Sequence, residues 1–537
     1  MTEGNPGMFA TWTRRAALAA AIAAPLTGAL AQVPAGQQPA SQMTAVMQAD
    51  VRIMDPHVST VYITRNFAYM VWDTLFAMDS QGNIRPQMVD THTVSDDRMT
   101  WTFTLREGLK FHDGQPVTSA DVIASLRRWG PGDGLGRHLI AATASMDVVD
   151  ARTFRIVLNR PFGLVLDALG KPSSLVPAIM PERLAQRPRT EQNSELIGSG
   201  PFVFRRDLSV AGATQVFDRY RDYRPREEPA DFLSGGKRVH FDRVTWRVIP
   251  DAATAANALT TGEVDFIEMP AFDLLPLLRR NRGVTVVPLA GPSMWQGFVR
   301  VNSAAGPFAD PAVRRVLMMA VDQSQGPQAL GATGDLSLPQ CLSFWMCGGA
   351  LETTAGSEIA ARPDVARARE ALRQTNYRGE PVIVMQATDI DAPRIGSEVV
   401  AARLREVGFN VELQAMDWGT VVARRARRDA SWSLFGVHAQ GFDLASPLTH
   451  FYIGTNCQDF PGWHCDQRIT PLLERFAQAS TLDERRTIAA DIQRIAYEIV
   501  PAVVWGQFSQ PIAYRTNLEG VIPSGIPVFW NVRRAAR

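Results

Sequence analysis

Between residues 438 and 465 the chain gathers His438, His450, Cys457, His464 and Cys465, side chains able to hold a metal or activate a nucleophile. A zinc site is normally announced by ligands in tight pairs such as Cys-x-x-Cys or His-x-x-x-His, and neither spacing occurs here. The four cysteines instead form two near-neighbour pairs, Cys341 with Cys347 and Cys457 with Cys465. In an exported chain that pattern predicts two local disulfides. Three connectivities are open, and nearest-neighbour pairing is expected because the shortest loops close most easily. No metal ligand is assigned.

Signs of covalent chemistry are lacking. Gly-x-Ser-x-Gly, His-Glu-x-x-His and Gly-x-x-x-x-Gly-Lys-Ser/Thr do not occur. The run Gly130-Pro131-Gly132-Asp133-Gly134-Leu135-Gly136 lacks the dinucleotide spacing and follows a helical pattern, so it is read as a helix stop and turn. Asp96-Asp97 is read as a turn, since adjacent side chains on a strand point apart. The chain is therefore expected not to be an enzyme, with no catalytic residue and no cofactor.

The elements that must carry any binding site belong to a large globular protein. The 537 residues are 46% hydrophobic and 20% charged, enough for two to four structural units with sizeable cores. Lys and Arg number 55 against 54 for Asp and Glu, and removing residues 1–31, which carry Glu3, Arg14 and Arg15, takes the formal charge from +1 to 0. A neutral body carries no electrostatic footprint for nucleic acid or an anionic membrane. Residues 1–31 read as an export signal: Arg14-Arg15, an apolar run from Ala16 to Ala24, then Ala29-Leu30-Ala31. Paired arginines before a weakly apolar core point to the twin-arginine route, with general secretory export as the alternative. No stretch approaches a bilayer-spanning length and no cysteine stands at the cleavage site, so a soluble periplasmic protein is expected.

Strand and helix periods alternate along the chain. Met99, Trp101, Phe103 and Leu105 alternate with Thr100, Thr102, Thr104 and Arg106, which predicts a half-buried strand. Thr118 and Asp121 form a capping box for a helix through Trp129. Phe154, Ile156 and Leu158 predict a second strand, and Val244, Trp246 and Val248 a third. Asp310 caps a helix beginning at Pro311 and running through Asp322. Val382–Met385, a helix bearing Val400, Leu404 and Val407, and Val411–Leu413 predict a βαβ unit. Thr481 and Glu484 open a helix with Ile488, Ile492, Ile495 and Ile499 on one face.

Several of these segments, in order, resemble the peptide- and nickel-type (family 5) solute-binding proteins of ABC importers. The landmarks are Met54-Asp55-Pro56-His57, Trp101 to Gly114, Thr118 to Val122, Gly198-Ser199-Gly200-Pro201-Phe202, Gly262-Glu263-Val264-Asp265 and Asp310 to Arg315. The resemblance implies an α/β clamshell of two lobes with an additional domain inserted in the first. It places lobe one at residues 32–77, 201–293 and 508–537, the inserted domain at 78–200 and lobe two at 294–507. It also implies a periplasmic receptor, a monomer, that takes a small organic ligand into the interlobe cleft and passes it to an ABC permease. A metal-chelate carrier, or less readily a secreted hydrolase, is the alternative.

In peptide-binding relatives a Trp of the second lobe borders the ligand and a later Asp pairs with its α-ammonium. Met416-Asp417-Trp418 resembles the Trp motif, and the ungapped counterpart of the Asp is Gln440, with Asp443 close by. An amide cannot neutralise an ammonium, so the resemblance implies a ligand with a blocked amine or a non-peptide acid, unless Asp443 takes that role. Arg425 falls where a relative's ligand-side Arg stands and is a candidate carboxylate clamp. Trp418, Trp505 and Trp295 are candidate cleft walls, because aromatic faces bury ligand area at small entropic cost.

Overall fold

Alternation along Thr100–Leu105 does what the pattern demands: Trp101, Phe103 and Leu105 are buried while the threonines between them stay half-buried. In the computed structural model, which describes residues 41–536, this strand pairs antiparallel with Thr153–Leu158, and the rings of Phe103 and Phe154 stack 5.0 Å apart. With Val89–Val94 and Thr143–Val148 outside them, these strands make a four-stranded antiparallel sheet. The export-signal reading of residues 1–31 lies outside the described residues.

A seven-stranded sheet runs in the order Val284–Val287, Ile512–Arg515, Phe266–Ile267, Gln42–Val46, Arg243–Arg247, Thr214–Arg219, Phe202–Phe204. Gln42–Val46 lies parallel to both of its neighbours, so the earliest described strand sits in the middle and is paired on both edges. A six-stranded sheet runs Ser337–Leu338, Ala502–Phe508, Trp295–Val301, Leu434–Gln440, Val382–Ala387, Val411–Met416. Within it Val382–Ala387 and Val411–Met416 are parallel and joined by the helix Asp391–Val407, whose Val400, Leu404 and Val407 are buried, as the βαβ pattern requires.

Two segments carry the chain between the seven- and six-stranded sheets. Residues 288–294 link Val284–Val287 to Trp295–Val301, and residues 509–511 link Ala502–Phe508 to Ile512–Arg515. They are tied together, since the Leu289 N–H donates to Ser509 Oγ at 2.6 Å. Such paired short crossings are where one body can turn against another with few backbone changes.

Local signals set most element ends. The Thr118 N–H donates to Asp121 Oδ2 at 2.8 Å, closing the capping box of the helix Ser119–Trp129. The helix after Asp310 ends at Ala320, two residues short of expectation, because Asp322 Oδ1 accepts from the N–H and hydroxyl of Ser324 and turns the chain. The glycine-rich run at 130–136 stops one helix as expected but also starts another. Asp133 Oδ1 accepts from the N–H groups of Leu135 and Gly136 and caps Gly134–Ala141. The helix Leu482–Ile499 buries Ile488, Ile492 and Ile495 and leaves Ile499 half-buried. Asp97 holds its turn by accepting from the Met99 N–H at 3.0 Å.

Candidate functional site

Strand Leu434–Gln440 of the six-stranded sheet ends at a buried polar residue and then bends sharply. A β-carbon at Gly441 would lie 2.8 Å from Cα of Pro292, so only glycine lets the chain turn against the crossing segment. The helical turn Gly441–Leu444 that follows holds Asp443, 2% exposed, beside Gln440, also 2% exposed. Opposite them lies helix Tyr62–Val71, whose Tyr62 and Arg65 face this turn.

These side chains form one network. The Tyr62 hydroxyl accepts from the Gln440 N–H at 3.1 Å and donates to Asp443 Oδ2 at 2.9 Å. Ser173 Oγ donates to the same oxygen at 3.2 Å and accepts from Arg65 Nη1 at 3.2 Å. Arg65 Nη1 also donates to Gln440 Oε1 at 2.6 Å, while Gln440 Nε2 donates to the Gly525 carbonyl at 2.9 Å. The Arg65 guanidinium sits 4.6 Å from the centre of the Tyr62 ring. Burial raises the pKa of Asp443, an effect that Lys171 and Arg65 oppose, and it drives the Tyr62 hydroxyl well above its ordinary value. Lys171 is itself ion-paired with Asp133.

Trp295 is the first residue of its strand after the crossing and is 3% exposed. Its ring meets Tyr62 edge-on at 5.2 Å and His438 at 4.5 Å, so it joins the two sides of the network. Burial lowers the pKa of His438 to about 4, which keeps the imidazole neutral against the indole.

A second group lies on the other face of the same strand, because side chains alternate along it. Met385, Ala387, Val421, Trp432 and Phe435 form a small core, and Met416, Trp418, Val437 and Trp463 stand partly exposed around it. Asp417 caps the helix Trp418–Arg425 through the Thr420 N–H at 3.0 Å. The Arg425 guanidinium lies 5.5 Å from the ring centres of both Trp418 and Phe435, and it has no hydrogen-bond or ion-pair partner among the described residues. Burial lowers its pKa, partly offset by Tyr452, leaving a half-buried cation whose donors have no partner among the described residues. Trp463 stands on the loop closed by Cys457–Cys465, where its indole N–H donates to Asp459 at 3.0 Å.

Trp505 is a correction. It is fully buried, with Nε1 donating to the Phe298 carbonyl at 3.2 Å, and it belongs to the core of the six-stranded sheet rather than to a cleft wall. Gln440 also differs from expectation, for both ends of its amide are engaged by the protein. Both cysteine pairs are bonded, Cys341 to Cys347 and Cys457 to Cys465. His464 Nδ1 pairs with Arg300 Nη2 at 3.0 Å, and His450 Nδ1 accepts from the Tyr452 N–H at 3.2 Å. The sequence reading missed Tyr62, Arg65 and Ser173. A signal existed for one of them: Arg65-Asn66 interrupts an otherwise apolar helix whose residues from Ile63 to Val71 are all buried.

Residues 83–459 match the family described as bacterial extracellular solute-binding proteins, family 5 Middle. The chain is 36% identical over 495 residues to a "Probable peptide ABC transporter periplasmic-binding protein" of Sinorhizobium fredii, covering 90% of this chain and 92% of that one. Among solved structures it resembles the periplasmic binding protein AgaA of A. tumefaciens R10 in complex with agropinic acid, with a TM-score of 0.76, 21% identity and coverage of 92% and 99%. It also resembles the Helicobacter pylori protein DppA in complex with the peptide STSA, with a TM-score of 0.74, 19% identity and coverage of 92% and 98%.

Proposed function

We propose that this chain, which belongs to the bacterial extracellular solute-binding proteins of family 5, captures a small organic solute between its two larger sheets and hands it to an ABC permease. The peptide assignment of the Sinorhizobium relative supports a peptide or a modified amino acid as that solute. AgaA with agropinic acid and DppA with a peptide have the same fold, which accommodates both classes. The observation that carries the reading is the polar network from Tyr62 and Arg65 to Gln440 and Asp443, laid across two sheets that are joined by paired crossings. Contacts of that kind form when the sheets approach and break when they part, which is the two-state element a receptor needs.

On this reading residues 32–77, 201–293 and 508–537 act as the first lobe, 78–200 as the inserted domain and 294–507 as the second lobe. Arg425 clamps a ligand carboxylate, Trp418 supplies apolar contact, and Asp443 and Trp295 border the solute where the network closes. The protein works as an exported soluble monomer, without metal, cofactor or turnover. The test is mass spectrometry of any solute released on denaturation, followed by its titration back onto stripped protein. One solute per monomer should raise the melting temperature and compact the protein in solution scattering without being consumed. Conversion of the solute, abolished by an acidic-residue substitution, would replace the receptor reading with an enzyme.

A further inference from the structure

Arg65 is 1% exposed, yet every acceptor it reaches among the described residues is uncharged. Its Nε and Nη2 donate to Asn66 Oδ1, Nη1 donates to Ser173 Oγ and Gln440 Oε1, and Nη2 donates also to the Gly525 carbonyl. All five donors of the guanidinium are therefore engaged. A buried cation without a directly bonded carboxylate is costly, and here compensation comes at one remove. Asp443 answers it through Ser173 and Tyr62, and Glu268 through Asn66, whose Nδ2 donates to Glu268 Oε1 at 2.7 Å.

The acceptor oxygen of Gln440 is thus held by a cation that belongs to the protein. An ammonium brought to the same place would meet the guanidinium in a water-poor site, where like charges repel strongly. We propose that Arg65 is a specificity-determining residue: it takes the place of a ligand cation at the Gln440 end of the cleft, so the receptor selects solutes that are uncharged or anionic at that end, such as N-acylated amino acids and peptides. The inference rests on the receptor reading of the cleft. It also changes what Gln440→Asp does, because a carboxylate there forms a charge-assisted pair with Arg65 rather than awaiting a ligand.

The experiment is calorimetry with matched free and N-acetylated di- to tetrapeptides on wild type, Gln440→Asp and the double variant Arg65→Gln/Gln440→Asp. Wild type should prefer the acetylated member by about tenfold or more. Gln440→Asp should keep that preference and melt higher, while the double variant should reverse it by about tenfold. A switch to free amines by Gln440→Asp alone overturns the proposal and keeps it falsifiable if the double variant does not fold. Tight wild-type binding of free amines, abolished by Asp443→Asn, overturns it in favour of Asp443. Failure of wild type to bind either member of any pair overturns it as well. The receptor reading fails separately, if no solute of any kind compacts the wild type.

Discussion

Trp505 fills the space that a side chain at Gly297 would need: a β-carbon there would fall 2.0 Å from Cε2 of the indole. Gly326 and Gly396 make the same room, with β-carbons that would lie 2.3 and 2.5 Å from the ring. Three glycines from a strand and two helices therefore form the socket of one tryptophan, and the ring cements the six-stranded sheet to its helices. Trp505→Ala should destabilise the protein by about 3–5 kcal/mol, as cavity formation does at large buried aromatics. The folded fraction should keep its ligand affinity. A chemical denaturation curve with a ligand titration on the same sample separates the two effects.

Trp418 and Arg425 are expected to behave in the opposite way. Arg425 has no polar partner among the described residues, so Arg425→Ala should leave the unliganded melting temperature nearly unchanged while weakening a carboxylate ligand by about 10- to 100-fold. Arg425→Lys should recover only part of the loss, since an ammonium keeps the charge but not the planar fork. Isothermal titration with the released solute and with its amide checks the assignment: the amide should bind wild type and Arg425→Ala alike.

The disulfide Cys457–Cys465 closes the loop that sets Trp463 beside Trp432, their rings 6.0 Å apart, and brings Asp459 to Arg428 at 2.7 Å. Replacing both cysteines by serine should cost about 2–3 kcal/mol of stability by the chain-entropy argument. Ligand affinity should fall as well, because Trp463 stands at the edge of the Trp418 wall. The Cys341–Cys347 pair should show the stability loss with a smaller effect on this wall. Peptide mapping of unreduced protein should find both links and no free thiol.

Acid should weaken the fold before ordinary carboxylates titrate. Burial lowers His112 and His438 to about 4 and His57 and His450 to about 3, so the unfolded chain takes up protons at these sites more readily than the folded one. Stability from their neutral burial is complete above the unfolded value near 6.5 and is lost as pH falls toward 4 and then 3, at about 1.4 kcal/mol per pH unit for each group. Asp443 and Glu268, raised by burial, act with the opposite sign. Denaturation midpoints between pH 6.5 and 4.5 should fall in wild type. His450→Leu should flatten that slope by about one proton. An unchanged slope would mean that His450 is charged in the fold.

Much of the architecture was legible one segment at a time. Period-two alternation marked Thr100–Leu105 and Thr153–Leu158 because each strand buries one face, and the capping residues Thr118, Asp310 and Thr481 marked helix starts because unpaired N–H groups need a nearby acceptor. The cysteine pairs were legible for a similar reason, since partners six and eight residues apart close small loops. The end of the helix after Asp310 and the helix hidden in the glycine-rich run were misplaced, because a side chain such as Asp322 or Asp133 can serve either to cap or to break.

The sequence by itself determined the family and the mixed α/β elements, and it favoured the cysteine pairing found in the structure while leaving the other two connectivities open. That Trp505 belongs to the core and that both ends of the Gln440 amide are held by the protein were decided by the tertiary structure. Trp505 and Trp418 look alike as residues in a string, and only the glycines brought around one of them by distant strands and helices make it core. Gln440 lies 375 residues from Arg65, and their hydrogen bond exists because two short crossings bring the sheets together. Local periodicity reports that a face is buried. It carries no information about which distant partner buries it, and it is that partner's charge that sets the chemistry of the site.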